Sequence, residues 1–301
     1  MSLLALVLAL VLERVLTDLL HLRDARWLDG YFDWAARVFG RWHGRWRWLT
    51  ALSVVVLPVL PVGIVSLLLG SHLLGLPQLL FAVAVLLISF GPRDLKKEVD
   101  DYIAALAGGD QQESARRATE LLECDASGRG AGLRDPLEDA IFVQANNRIF
   151  GVIFWFMLLG PAGAWLFRVS DLMRRRAAFE ASRHGGTIPD GSFEAALRGL
   201  HGVLAWLPAR VTALSYAVAG SFEDAFGNWK GAVDQASATV LERSEDLLAR
   251  VGRGSLAPSL EGVEAGHLDL ATARGAWRIV QRALWIWLAA IALLVLAGNA
   301  A

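Results

Sequence analysis

Five runs in this chain are apolar over the length of a bilayer crossing, and no other property of the sequence narrows its fold more. A transmembrane helix needs about 20 apolar residues. Leu49–Leu69, Leu73–Phe90, Ile149–Phe167 and Ala276–Ala297 meet that requirement, and Leu3–Leu20 meets it if Glu13 and Arg14 are tolerated. The chain is 55% hydrophobic and 20% charged over 301 residues. Soluble domains average about 45–50% apolar and about 25% charged, and here the excess is concentrated in the five runs. The class is therefore integral membrane protein. The first run has no basic lead-in and no small-residue cleavage site before Glu13, so it is expected to be a retained helix.

The spacing between runs predicts the rest of the architecture. Gly70-Ser71-His72 is a short uncharged turn, which predicts a helical hairpin through the bilayer. Between the first two runs, residues 21–48 interleave Arg23, Arg26, Arg37, Arg41, Arg45 and Arg47 with Trp27, Trp34, Trp42, Trp46 and Trp48. That mixture suits helices lying in the interface, their cationic heads reaching lipid phosphate. Two polar helical insertions are expected at 92–146 and 169–275 within a single membrane domain, 1–301. In the first, Val99, Ile103 and Leu106 recur at helical spacing, and Asp135-Pro136-Leu137-Glu138 reads as a helix start. In the second, a helix start falls near Ser192, a semi-apolar segment runs over 197–222, and a helix is expected over 234–251. A loop, GRGSLAPSLEGVEAG, should follow. No segment sustains alternation of period two. The fold class is all-α: a polytopic membrane protein with four or five transmembrane helices plus amphipathic interfacial and cytoplasmic helices.

The fourth run poses a topological conflict. Basic residues favour the cytoplasmic side, which places 21–48, 92–148 and the arginines at 274, 278 and 282 inside. A full crossing at 149–167 then puts Arg174, Arg175 and Arg176 outside. Either the stretch turns back at Gly160-Pro161 as a re-entrant hairpin, or it spans and 197–222 spans back. Re-entrant backbone is tolerated only where buried in protein or facing a cavity.

Ionisable groups at membrane depth are functional candidates by default. Glu13 and Arg14 each face a different partner, or sit at the interface if the first helix is short and tilted. Asn147, Arg148 and Arg168 flank the broken run. The two arginines are interfacial anchors if it spans, and are able to grip one anion if it is re-entrant. Arg210 follows Pro208 in an apolar segment, as the wall of a site or as a snorkelling side chain. Glu223-Asp224 reads as a solvated surface pair. Cys124 is the only cysteine, and the six histidines lack paired ligand spacing, so no metal site is expected. The 29 basic and 30 acidic residues form no long basic patch, which argues against nucleic acid. The expected partner is membrane lipid. GRGAG at 128–132 lacks the strand and the GK[ST] ending of a phosphate loop.

The ordered set LVLERVL, WLDGYFDWAARVF, the hairpin, NNRIFGVIFWFMLLGPAGAWLFR, LPARVTALSYAVAGSFEDAF and one final span resembles the AmpE family of bacterial inner-membrane proteins, over nearly the whole chain. That resemblance implies a multi-pass protein of the inner (cytoplasmic) membrane. It also implies a regulatory or sensory role in β-lactamase induction, with a functional link to the cytosolic amidase AmpD of cell-wall recycling.

The same stretches are similar to the CobD/CbiB membrane proteins of cobalamin biosynthesis. For that family the resemblance implies an ATP- and divalent-metal-dependent synthase joining an aminopropanol moiety to adenosylcobyric acid. Pro208-Ala209-Arg210, Arg168, Asn147 and Gly151 match its pattern. Three positions depart from it. Phe150 stands where the family has an Asp before Gly151, and the DLMRRR region replaces an Asn-Thr-x-Asp-Ser-Met run. An upstream acidic pair falls at about His201 and Gly202. Losing carboxylates while keeping arginines favours an anion-holding pocket without metal ligands. The expectation is therefore a regulator that binds an anionic small molecule through Glu13, Asn147, Arg148, Arg168 and Arg210. It needs no cofactor, and ATP with magnesium enters only if the synthase reading holds.

Overall fold

The computed structural model describes residues 2–16, 26–39, 46–70, 76–90, 95–110, 112–114, 116–118, 137–183, 188, 192–231, 239–260 and 268–300. The principal elements are all helical, and no strand occurs among the described residues. They are α1 (Ser2–Leu16), α2 (Arg26–Phe39), α3 (Arg47–Val56), α4 (Val59–Gly70), α5 (Leu76–Phe90) and α6 (Leu95–Ala107). Next come α7 (Leu137–Ala145), a π-helical turn (Asn146–Phe150), α8 (Gly151–Arg183) and α9 (Phe193–Ala219). The chain ends with α10 (Phe222–Gly231), α11 (Val240–Leu256), a 3-10 turn (Ala257–Leu260) and α12 (Leu268–Ala300). Among the described residues four helices are long and apolar enough to cross a membrane: Leu76–Ala107, Leu137–Phe179, Phe193–Ala219 and Leu270–Ala297. A fifth arises if the bent pair Arg47–Val56 and Val59–Leu69 is one span. The expected four or five spans are thus present, with a different membership. The continuation of α1 beyond Leu16, the 71–75 turn, the Asp135-Pro136 helix start and GRGAG lie outside the described residues.

The residues fall into two compact units, Met1–Asp94 with Gly151–Leu204, and Leu95–Phe150 with Ala205–Ala301. In the first, α1 packs on α5, and α3, α4 and α5 pack on α8. Its core joins Phe32 of α2, Val54 of α3, Val85 of α5, Trp165 and Met173 of α8, and Phe193 and Leu197 of α9. Ser192 caps α9, its hydroxyl accepting the Ala195 N–H at 3.1 Å, as the expected helix start required.

Prolines shape this unit, and aromatic donors complete it. The run 49–69 is not one straight helix: it bends by 46° between α3 and α4, at Leu57-Pro58. A proline inside a helix removes the bond to the carbonyl four residues earlier. For Pro58 that carbonyl is Val54, and the Tyr31 hydroxyl donates to it at 2.8 Å. The carbonyl of Pro58 itself accepts the Trp165 indole N–H at 3.1 Å. Pro208 lies inside α9 and frees the Leu204 carbonyl, which accepts the Trp155 indole N–H at 3.0 Å. With no water in hydrocarbon to satisfy a freed carbonyl, such donors decide whether a break is tolerated.

The Gly160-Pro161 break is local. Gly160 holds φ 66°, ψ −153°, a left-handed conformation open to glycine. Nevertheless 137–179 continues as one candidate span. Phe193–Ala219 is likewise long and apolar enough to cross a membrane, and the arginines at 174–176 lie within α8.

In the second unit, α11 packs on α7, α10 and α12, and α12 also packs on α6 and α7. Aromatic rings fill it: Phe142 and Tyr216 lie 5.0 Å apart, and Phe150 and Trp287 5.3 Å. The Trp287 indole donates to the Ser215 hydroxyl at 2.8 Å, so this tryptophan is a packing residue. Helix α11 begins with a capping box of Thr239 and Glu242, five residues into the expected helix; 232–238 lie outside the described residues. It also continues through GRGSL, where a loop was expected. The glycines there serve packing: a Cβ at Gly252 would overlap the Phe142 ring, and one at Gly254 would overlap Asn228 and the backbone of Asp224 and Ala225.

Candidate functional site

Helix α8 carries Arg168, Asp171, Arg174 and Arg175 at spacings that bring them onto one face. Asp171 is fully buried, accepts hydrogen bonds from the Arg168 and Arg174 guanidiniums and is ion-paired with that of Arg175. Arg168 Nη1 lies 3.3 Å from Oδ2, Arg174 Nη2 3.0 Å from Oδ1, and Arg175 Nε 2.9 Å from Oδ2. Arg168 and Arg174 are themselves buried, 4% and 3% exposed. Burying ions is costly unless each is paired in good geometry, and the i, i+3 and i, i+4 spacings supply that geometry from a single helix.

His201 of α9 closes the cluster. Its Nε2 lies 4.0 Å from Asp171 Oδ1, and its Nδ1 lies 3.0 Å from the Ser170 hydroxyl. Ser170 donates its one proton to the Phe167 carbonyl at 2.7 Å. The ring is therefore assigned with its proton on Nδ1, donating to Ser170 Oγ. Nε2 is then a bare acceptor with no hydrogen-bond partner among the described residues.

The other expected site residues lie elsewhere. Asn147 and Arg148 sit in the π-helical turn of the second unit, both buried. Arg148 donates from Nη1 to Glu98 Oε2 at 2.9 Å and from Nε to Gln144 Oε1 at 3.2 Å. Asn146 donates to Asn147 Oδ1 at 3.3 Å and accepts the Thr212 hydroxyl at 3.1 Å. Asn147 Nδ2 and Glu98 Oε1 have no hydrogen-bond partner among the described residues. π-turns are frequent at functional sites, and this one carries a buried polar network. Arg210 belongs to neither cluster. It donates to the Trp206 carbonyl at 2.8 Å, and its guanidinium stacks 4.0 Å over the Trp206 ring. Glu13 lies on α1, and its side chain is outside the described residues.

Sequence reading passed over Asp171 and His201. The available signal was the acid three residues after Arg168 and three before Arg174, which makes a self-neutralising helix face. As a divalent-metal ligand Asp171 is a poor fit, because the three guanidiniums around its oxygens oppose a further cation. Among the described residues no group of three His, Cys, Asp or Glu side chains is placed to hold a metal ion. Guanidiniums gathered in a buried place are instead suited to oxyanions, which they grip bidentately.

The fold and this cluster together define a helical multi-pass membrane protein with a buried arginine–carboxylate centre. The chain belongs to the AmpE family, described as regulatory signalling modulator proteins, whose match covers residues 1–300. It is also similar to two proteins named cobalamin biosynthesis protein CobD. The one from Chromobacterium violaceum is 27% identical over 238 residues, 72% of this chain and 71% of that protein. The one from Stutzerimonas stutzeri is 26% identical over 245 residues, 81% of this chain and 74% of that protein. No solved structure matches the chain.

Proposed function

We propose that the protein is an inner-membrane regulator or sensor of β-lactamase induction and cell-wall recycling, acting by binding an anionic small molecule at membrane depth. The observation that carries this is the convergence of Arg168, Arg174 and Arg175 on the single carboxylate of Asp171. In this reading Asp171 holds the guanidiniums in register, and an incoming phosphate or carboxylate shares their donors. Asn147 and Arg148 form a second polar locus whose unpartnered Asn147 Nδ2 is suited to a neutral acceptor on a ligand. Membership of the AmpE family supports the regulatory role, and the proposal includes a functional link to the amidase AmpD.

The test uses the purified full-length protein and an anionic muropeptide as probe. The muropeptide should raise the thermal unfolding midpoint of the wild type, and Arg168→Gln with Arg174→Gln should abolish that shift along with β-lactamase inducibility in cells. An equal shift in both proteins removes the site.

The similarity to CobD proteins supports a second reading, an ATP-dependent amide-forming synthase of cobalamin biosynthesis. The saturated state of Asp171 weighs against it. Magnesium-dependent turnover of ATP with an adenosylcobyric acid acceptor by the purified protein would establish it instead.

A further inference from the structure

The exposed face of α12 changes character part-way along the helix. Its first half carries Arg274, Arg278 and Arg282, all exposed, one on each successive turn. Its second half carries Trp285, Leu293 and Leu296, which are 71%, 68% and 66% exposed. Their spacings, multiples of three and four residues, put all six on one side of the helix. The other side packs inward, where Ala276, Val280, Ala283 and Trp287 are buried.

Two helices of the second unit mark the same level as the end of the apolar layer. In the candidate span Leu270–Ala297, no charged residue follows Arg282. The candidate span Phe193–Ala219 ends at Ala219, and Arg282 Nη1 donates to the carbonyl of that last residue at 3.4 Å. One span therefore ends beside the point where the apolar half of the other begins.

The charge on this face is of one sign. None of the three arginines has an ion pair among the described residues. A guanidinium carries five N–H donors, so the Ala219 carbonyl leaves most of those on Arg282 unused. Arg278 and Arg282 lie about 6 Å apart along the helix axis, about the depth of one headgroup layer. A phosphate in that layer is within reach of both. A zwitterionic head would bring its ammonium to the same place, where no carboxylate pairs with the arginines to receive it. A second copy of this chain, related by a two-fold axis, would set like arginines against one another.

We propose that this face of α12 binds an anionic glycerophospholipid of the phosphatidylglycerol type. Its phosphate accepts from Arg278 and Arg282, and an acyl chain lies along Trp285, Leu293 and Leu296. Arg274, one turn further out, adds attraction without touching the phosphate. This surface is separate from the Asp171 cluster and does not depend on the regulatory reading.

The test is native mass spectrometry of the delipidated full-length protein, mixed with equal amounts of phosphatidylglycerol, phosphatidylethanolamine and phosphatidylcholine of the same acyl composition. Phosphatidylglycerol should be retained over the other two by roughly fivefold, the scale of one arginine at a charged membrane surface. Arg278→Gln, which removes an exposed side chain with no ion pair to lose, should reduce the preference. Arg278→Gln with Arg282→Gln should erase it, with helical content by circular dichroism unchanged. Equal retention of the three lipids by the wild type would overturn the proposal, and so would a preference that survives the double substitution. A dimer in the same spectrum that Ala289→Trp dissociates would put a second copy on this face and overturn it as well.

Discussion

The Tyr31 hydroxyl donates to the Val54 carbonyl across 2.8 Å, four residues ahead of Pro58. One aromatic residue of α2 thereby completes the backbone of the bent pair α3 and α4. Tyr31→Phe leaves that carbonyl without its donor. It should destabilise the protein by about 1–3 kcal/mol, the usual cost of an unsatisfied buried polar group, measured by denaturant unfolding in detergent. Trp155→Phe should do the same through the Leu204 carbonyl.

The same hydroxyl predicts a dependence on alkali. Burial raises the Tyr31 pKa above its ordinary value of 10.0, so the folded chain keeps a proton that the unfolded chain releases sooner. The contribution of Tyr31 is full below pH about 10 and is lost as pH rises through the raised folded value. The stability difference between wild type and Tyr31→Phe should therefore shrink above pH about 10, as followed by unfolding at successive pH values.

Asp171 is the one carboxylate on which Arg168, Arg174 and Arg175 converge. Asp171→Asn leaves buried guanidiniums without it and should cost about 3–5 kcal/mol, as breaking one side of a buried ionic cluster does. Adding Arg174→Met should recover part of the loss, because one of the stranded charges is gone. The readout is the unfolding midpoint of the two variants; a double variant no more stable than the single one would refute the pairing.

Arg148 and Arg210 look alike in sequence and should behave differently. Arg148 is buried against Glu98 and Gln144, so Arg148→Ala should destabilise by about 3–5 kcal/mol. Arg210 lies over Trp206 on its own helix, and Arg210→Ala should cost no more than about 1 kcal/mol, the scale of an exposed cation–π contact. Thermal unfolding of the two variants side by side checks the contrast.

Gly252 allows α11 to approach Phe142, whose ring a Cβ would overlap. Gly252→Val should destabilise by about 1–3 kcal/mol, as overpacking does, and Phe142→Leu in the same chain should relieve part of it. Helical content by circular dichroism should be unchanged, because the segment is already helix.

The spans were legible in sequence because the signal is local. A run of some 20 apolar residues has one economical structure in hydrocarbon, a helix that satisfies its own backbone, and the apolar content of 76–90, 149–167 and 276–297 announces it directly. The helix start at Ser192 is local too, set by a side chain reaching three residues onward, whereas the expected start at 234 missed the equally local capping box at Thr239. The sequence therefore determined the class, the helical fold and the approximate span count.

Partnership was decided by tertiary structure. Arginine carries the same charge whether it anchors at a surface or sits in a core, so nothing near Arg148 reveals Glu98, fifty residues away. The glycines of GRGSL have the composition of a loop, and only the Phe142 ring against Gly252 makes them a packing surface. Pro58 marks a bend, but whether the bend is tolerated depends on Tyr31 donating from another helix. In each case the deciding energy is the desolvation of a polar group or the overlap of two atoms. Both depend on which distant segment arrives, and not on the residues beside it in the chain.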